Sequence, residues 1–367
     1  MNHAARILAA AGAMVVAWLL ANPPHPAEIP DALARRLPPR EELTRPLRGM
    51  AIQLHGSGPE HISQHKKLID ELAEMGANSV LLVNHGWQTH AGTADLHLDP
   101  QRNPSMPELT ELCAHAVQRG MSVTVMPVVL LSAPRGSEWR GRINPTVGWD
   151  EWFRRYTQFI IEHARAAESG RASVLMIGSE LIKAEQHTDK WAALIAEVRK
   201  VFKGKLGYSA NWDHYSTEKI GFWPLLDCVG MTSYYTLADA PNPTVESLVE
   251  RWKPIQARIL KFHNEVRRPI IFTEAGWCSQ EGAASESWNY YHNMHATPEG
   301  HAEQANCYRA FLKTWEDQPA VLGVYWWEWN PYPGGPADFG YTPRDKPAEL
   351  LLREWFARGR QADAAAR

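Results

Sequence analysis

The sequence predicts an α/β protein folded as one (β/α)8 barrel, a TIM barrel in a single domain. Three observations predict it. Short apolar runs alternate with amphipathic helical stretches from Gly49 onward. The runs number eight, the closure number of a parallel barrel. They end on polar, acidic or aromatic residues, as barrel strands do where they reach the catalytic face. A doubly wound open sheet is disfavoured because no Gly-x-Gly-x-x-Gly follows the first run.

The first run is GMAIQLHG (49–56), followed by Leu68, Ile69, Leu72 and Met75 at helical spacing. NSVLLVNHGW (78–87) and MSVTVMPVVL (121–130) come next, then a helix carrying Trp152, Phe153, Tyr156 and Ile160. SVLMIGSE (173–180) precedes a helix with Trp191, Leu194, Ile195, Val198 and Phe202. KLGYSANWD (205–213), CVGMTSYY (228–235), PIIFTEAGW (269–277) and VLGVYWWEW (321–329) complete the set. Continuous apolar runs, rather than alternating ones, suit parallel strands buried on both faces.

The barrel is expected over residues 48–360, with a tail at 361–367. Residues 1–22 read as a signal peptide or N-terminal anchor, and 23–47 as a Pro-rich linker. Ile7 to Ala21 is an uncharged apolar run behind Arg6. It is short of the ~20 residues of a spanning helix and fits a secretory segment. Export to the periplasm or the cell exterior is the expectation. No small-x-small cleavage site precedes Pro23, so membrane attachment through residues 7–21 is the alternative.

The net charge of -3, with no basic run, removes nucleic acid as a partner class. Cys113, Cys228, Cys278 and Cys307 lie far apart, without the close pairs of a structural zinc site. Cys113 and Cys228 sit in apolar elements and read as free core thiols. His61 and His65 stand four apart but lack the Glu of a zinc-protease helix. His292 with His295, and Asp95, His97 and Asp99, are weaker candidates still. No metal and no cofactor are expected. The 16 Trp exceed what a core needs; some are expected on a binding surface.

The strand ends gather the candidate site. Strand one brings His55; strand two brings Asn84, His85 and Trp87. Strand four ends on Ser179 and Glu180. Strand five ends on Asn211, Trp212 and Asp213, and strand six on Tyr234 and Tyr235. Strand seven brings Glu274 and Trp277; strand eight brings Trp326, Trp327, Glu328 and Trp329. Two carboxylates across one cavity can divide acid and base work, and glycoside hydrolysis requires that pairing. Aromatic rings suit the apolar C–H faces of a pyranose, while Asn, His and Tyr serve its hydroxyls. Tyr234 or Tyr235 can hydrogen-bond a carboxylate and hold it ionised. Glu328 is expected behind the pair. The plainer alternatives are rim ion pairs for the two acids and simple packing for the rings. A non-catalytic glycan-binding barrel of an envelope polysaccharide system is the second functional class; two acids in place favour the enzyme.

The segments IGSEL (177–181), YSANWD (208–213), MTSYY (231–235), FTEAGW (272–277) and YTPRDKPAELLLREW (341–355) resemble glycoside hydrolase family 113 of clan A, known for β-mannanase activity. The resemblance runs from about Gly49 to Trp355. It implies a retaining β-glycoside hydrolase working by double displacement on a β-linked polysaccharide or oligosaccharide, with mannan a candidate and carbohydrate the partner. Glu180 would be the acid/base and Glu274 the nucleophile, their carboxyl groups ~5–5.5 Å apart. Many clan members carry Asn directly before the acid/base. Here that position is Ser179, and Asn211 is the candidate replacement. The loop after strand seven offers Trp288, Tyr290 and Tyr291 to cover the cleft.

Overall fold

A computed structural model of the chain describes residues 37–40, 43, 45–217 and 219–365. The segment expected to direct export, 1–22, and the first part of the Pro-rich stretch lie outside the described residues. Eight parallel strands pair in chain order and close into a barrel. They are β1 (Leu47–Gln53), β2 (Ser79–Gln88), β3 (Ser122–Leu131), β4 (Val174–Ser179), β5 (Lys205–Ala210), β6 (Cys228–Thr232), β7 (Ile270–Ala275) and β8 (Val321–Trp326). The β1–β8 pairing, Leu47 opposite Gly323 and Met50 opposite Trp326, makes the closure.

The helices are α1 (Pro59–Met75), α2 (Met106–Gln118), α3 (Trp149–Ser169), α4 (Thr188–Val201), α5 (Val245–Val266), α6 (Pro298–Trp315) and α7 (Pro347–Ala365). The residues placed at helical spacing on α1, α3 and α4 are buried as a stripe. Strict alternation fails once. Among the described residues between β5 and β6, only the 3-10 turn Trp223–Leu225 forms. Gly221 and Pro224 interrupt any helical run there. The rings cover the barrel instead: Phe222 stacks on Trp191 at 4.9 Å and Trp223 meets Phe262 at 6.1 Å.

Two cores follow from strands buried on both faces. Inside the barrel, Leu47, Ala51, Leu81, Val83, Met126, Val128, Val174, Met176, Cys228, Ile271 and Tyr325 pack together. The Tyr325 hydroxyl finds the Thr124 hydroxyl at 2.6 Å. A larger core lies between strands and helices. The last part of the expected linker belongs to the barrel. Leu43 packs against the inner core. Arg40 donates to the Ala172 carbonyl at 2.8 Å, pairs with Glu168 at 2.6 Å and lies over the Phe202 ring at 5.1 Å. All four cysteines are unpaired and buried. No helix among the described residues is long and apolar enough to cross a membrane.

Six strands stop short of their expected ends, while β2 and β3 run one residue past theirs. Glu180, Asn211, Trp212, Tyr234, Trp327 and Glu328 therefore sit just past a strand, whereas Asn84, His85, Trp87, Ser179 and Glu274 lie within one. Register shifts fall at Met176/Ser179, Met231/Thr232 and Phe272/Ala275. Such irregularities let the chain turn side chains into the mouth at the cost of ladder bonds.

Candidate active site

Glu180 follows β4 with φ of 52°, a left-handed conformation that costs a non-glycine residue ~1 kcal/mol or more. Three contacts hold it there. Its amide donates to the Ser209 carbonyl at 2.8 Å. The next amide, of Leu181, donates to the Tyr208 hydroxyl at 2.8 Å. That hydroxyl donates to the buried Glu185 carboxylate at 2.8 Å. Gly178, in the same turn of chain, leaves room for the Tyr156 hydroxyl, 2.6 Å from where a Cβ would stand. The Glu180 carboxylate is held at both oxygens. Oε1 accepts from the Thr232 hydroxyl at 3.0 Å. Oε2 forms an ion pair with Arg140, which stands on the 3-10 turn Arg140–Arg142 after β3.

Glu274 projects from β7, in register with Thr232 of β6. Its Oε2 accepts from the Tyr234 hydroxyl at 2.9 Å. Burial pushes the Glu274 carboxyl up, the Glu180 charge adds to this, and Arg140 and the Tyr234 hydrogen bond oppose it. The next turn depends on Gly276, whose Cβ would stand 2.4 Å from the Trp327 carbonyl. Behind the pair, Glu328 accepts from the Gln53 amide at 2.6 Å, and burial pushes its carboxyl up as well.

The two acids share a cavity of about 450 Å³ lined by Trp139, Arg140, Glu180, Asn211, Trp212, Tyr234, Glu274, Trp288, Trp327 and Tyr341. Trp212 and Trp288 stack at 5.9 Å with planes 15° apart, which makes a broad apolar wall. Tyr341 is fixed from two sides: its hydroxyl donates to the Ser287 carbonyl at 2.7 Å, and Lys346 ties its loop down through Asp338 at 2.5 Å and Ser279 at 2.8 Å. Asn211 lines the cavity, and its buried Oδ1 has no hydrogen-bond partner within the protein.

The structure does not bring every expected residue to this cavity. Asn84 turns to the helix side, bonded to His163 at 3.1 Å and Asn103 at 3.2 Å. Trp87 donates to Asn103 at 2.7 Å and carries Arg102 over its ring at 4.4 Å. Tyr235 packs edge-on against Trp252 at 5.5 Å. Trp277 is fully buried against Tyr308 and Phe311 of α6. Trp329 donates to Glu71 of α1 at 2.9 Å and lies under Arg344 at 4.0 Å. Ser179 is buried with its hydroxyl unpartnered. His55 and His85 stack on each other at 5.9 Å. Burial and the charges of His55 and Arg140 push His85 down to about 3. Several of the histidines and acids weighed as metal ligands are otherwise engaged. His65 accepts from the His55 amide at 3.1 Å, and His292 pairs with Glu286 at 3.3 Å. Thr89 holds Asp95 through its hydroxyl and its amide.

Sequence reasoning missed Trp139, Arg140, Thr232 and Tyr341. Trp139 and Arg140 lie in a Gly- and Pro-rich loop, APRGSEWRGRINP, directly after a barrel strand. A ring next to a cation at such a place was the available signal.

A parallel eight-stranded barrel with two acids from β4 and β7 in one ring-lined cavity defines the glycoside hydrolase class. The family model described as Glycoside Hydrolase Family 113 matches residues 57–334. The chain belongs to that family and is a glycoside hydrolase. The chain is similar in fold to the GH113 β-mannanase of Alicyclobacillus acidocaldarius solved with ManMIm. Identity is 24%, with 87% of this chain and 100% of that one covered and a TM-score of 0.75. A structure described as a GH113 β-1,4-mannanase is 25% identical, covers 86% of this chain and 99% of itself, and has a TM-score of 0.74. A Glycoside Hydrolase Family 5 mannosidase from Rhizomucor miehei shares the fold alone. Its identity is 11% and its TM-score 0.55, over 86% of this chain and 94% of its own. No curated protein sequence matches significantly.

Proposed function

We propose that the protein is a retaining β-glycoside hydrolase that cuts a β-linked mannan or manno-oligosaccharide by double displacement. The observation that carries this reading is the position of Glu180 and Glu274 in one cavity, on the ends of strands four and seven, among four Trp rings. The GH113 structures that this chain resembles are β-mannanases, which supports the sugar.

In this reading Glu274 attacks the anomeric carbon while Glu180 gives its proton to the leaving oxygen. Water, deprotonated by Glu180, then releases the glycosyl group from Glu274, and the configuration is retained. Tyr234 steadies the carboxylate of Glu274 before attack and the leaving carboxylate afterwards. Thr232 bonds one oxygen of Glu180 and so sets which lone pair faces the cleft. The stacked Trp212 and Trp288 take the apolar face of a sugar. Export of the enzyme to where such polymers lie rests on the run from Ile7 to Ala21.

Incubation with β-1,4-mannan, followed by proton NMR of the first-formed reducing ends, tests the proposal. The β-anomer should appear first, and Glu274→Gln should abolish it. An α-anomer first, or full activity in Glu274→Gln, would overturn the retaining assignment. Binding of mannan without any product would favour the glycan-binding alternative.

A further inference from the structure

The turns that feed the strands lie at the end of the barrel away from Glu180 and Glu274, and one side of that end is cationic. The turn before β4 carries Arg171. The turn before β5 carries Lys203, with Lys205 at the first position of the strand, and the turn before β7 carries Arg267 and Arg268. Arg40 and Arg45 join Arg171 around a cavity of about 420 Å³ that Pro38, Pro39 and Ser173 also line.

The charge on this side is not balanced from within. Its acids are taken: Glu168 pairs with Arg40 and Asp227 with Arg199, each at 2.6 Å. Lys203 donates to the Arg199 and Lys200 carbonyls at 3.0 and 3.1 Å. Arg268 donates to the Leu226 and Pro224 carbonyls at 2.6 and 2.9 Å. Carbonyls satisfy the N–H groups and leave the charge. The Arg171 and Arg267 side chains make no hydrogen bond or ion pair among the described residues. Helix C-termini point to this end of the barrel and favour cations there, yet that does not account for the pattern. The turn before β8, on the opposite wall, follows the same kind of helix end and carries Glu316 and Asp317, with Arg48 and Arg358 offsetting Glu316.

The chain enters the barrel on the cationic side, where Arg40 donates to the Ala172 carbonyl in the turn before β4. Upstream the sequence carries Arg35 and Arg36 and, before the Pro-rich stretch, the apolar run Ile7 to Ala21. Leu37 stands 16 residues after Ala21, a tether of at most ~55 Å.

We propose that this side of the barrel docks on an anionic phospholipid bilayer, with Ile7 to Ala21 held in the membrane and the catalytic mouth turned away from it. Lys and Arg near an anionic surface are drawn to it over about a Debye length. The tether turns docking into an intramolecular event, so a weak face suffices. The cavity beside Arg171 has room for a headgroup phosphate, which a guanidinium binds through paired hydrogen bonds. This goes beyond the glycoside hydrolase reading and does not depend on it.

Lysine footprinting of the full chain tests the proposal, on vesicles of phosphatidylcholine alone and of phosphatidylcholine mixed with phosphatidylglycerol. A membrane-impermeant acetylating reagent is used and the sites are read by mass spectrometry. Lys203 should react ~5–10-fold more slowly on the anionic vesicles at low salt, and high salt should remove the difference. Lys66 on α1 and Lys253 on α5 should react alike on both. Arg171→Glu with Arg267→Glu should abolish the protection, with melting temperature and hydrolysis of a soluble manno-oligosaccharide unchanged. Should that variant fold poorly, Arg171→Gln with Arg267→Gln should give a partial loss. Equal labelling of Lys203 on the two vesicles, or protection that survives both variants, would overturn the proposal. Protection by dextran sulfate but not by the anionic vesicles would also overturn it and assign the face to an acidic polymer. The footprint does not read hydrolysis, so a chain that cuts no mannan could still dock, and a mannanase could fail to.

Discussion

The Tyr234 hydroxyl donates to Glu274 Oε2 at 2.9 Å, joining a residue just past β6 to the acid on the strand that β6 pairs with. A hydrogen bond to the charged form favours that form. It opposes the burial and the Glu180 charge that push the Glu274 carboxyl up.

Tyr234→Phe removes that bond. The Glu274 carboxyl should rise further, so the acidic limb of kcat/KM should move to higher pH. The optimum should fall ~10–100-fold, the equivalent of a hydrogen bond to a charged group. A pH–rate profile with an unmoved limb would mean that another group titrates there.

Substitutions of the two acids should separate by leaving group. An aryl glycoside with an activated phenol leaves without protonation. Glu180→Ala should therefore keep the first step on it, release phenol in a burst, and turn over faster with added azide. Glu274→Ala should lose both activated and natural substrates. The reverse pattern would exchange the roles, and loss in neither would direct attention to Glu328.

Glu185 is fully buried, and burial pushes its carboxyl from 4.5 up to about 7. The folded value lies above the unfolded one, so its contribution is full below about 4.5 and is lost as pH rises through about 7. At about 1.4 kcal/mol per pH unit the loss amounts to roughly 3 kcal/mol. Glu185→Gln keeps the neutral form and its bond to Tyr208. It should match the wild type at pH 5 and exceed it at pH 8 in chemical denaturation. A wild-type stability that is flat across this window would show that Glu185 titrates elsewhere.

Arg40→Ala should lower the melting temperature. It removes a carbonyl hydrogen bond, an ion pair of limited exposure and a ring contact, together worth about 1–3 kcal/mol. Calorimetry showing no change would place the folded boundary after residue 40.

The barrel was legible because parallel strands buried on both faces read as unbroken apolar runs. That the described residues between β5 and β6 form only a 3-10 turn was not. The place of a helix is filled by rings whose packing is tertiary, and Trp223 and Phe222 carry no period to read. Glu180 and Glu274 stood out as acids ending apolar runs. Their neighbours were harder, because facing alternates residue by residue and the register shifts at the strand ends decide its phase. Tyr234 and Tyr235 are adjacent, yet one reaches Glu274 and the other packs against α5. Trp277 and Trp329 were misplaced for the same reason, each turning to a helix. Arg140 was hidden because a loop residue joins a cavity only when the loop folds back over it.

The left-handed backbone at Glu180 bears on how relatives of this chain diverge. A glycine or an asparagine would occupy that conformation with less strain, so selection for folding alone pulls this position away from glutamate, and selection for turnover pulls it back. A lineage that stopped cutting sugar would be free to relax there first. Gly or Asn at this position, in an otherwise intact barrel, would be the mark of a descendant that has kept the cleft and lost the chemistry.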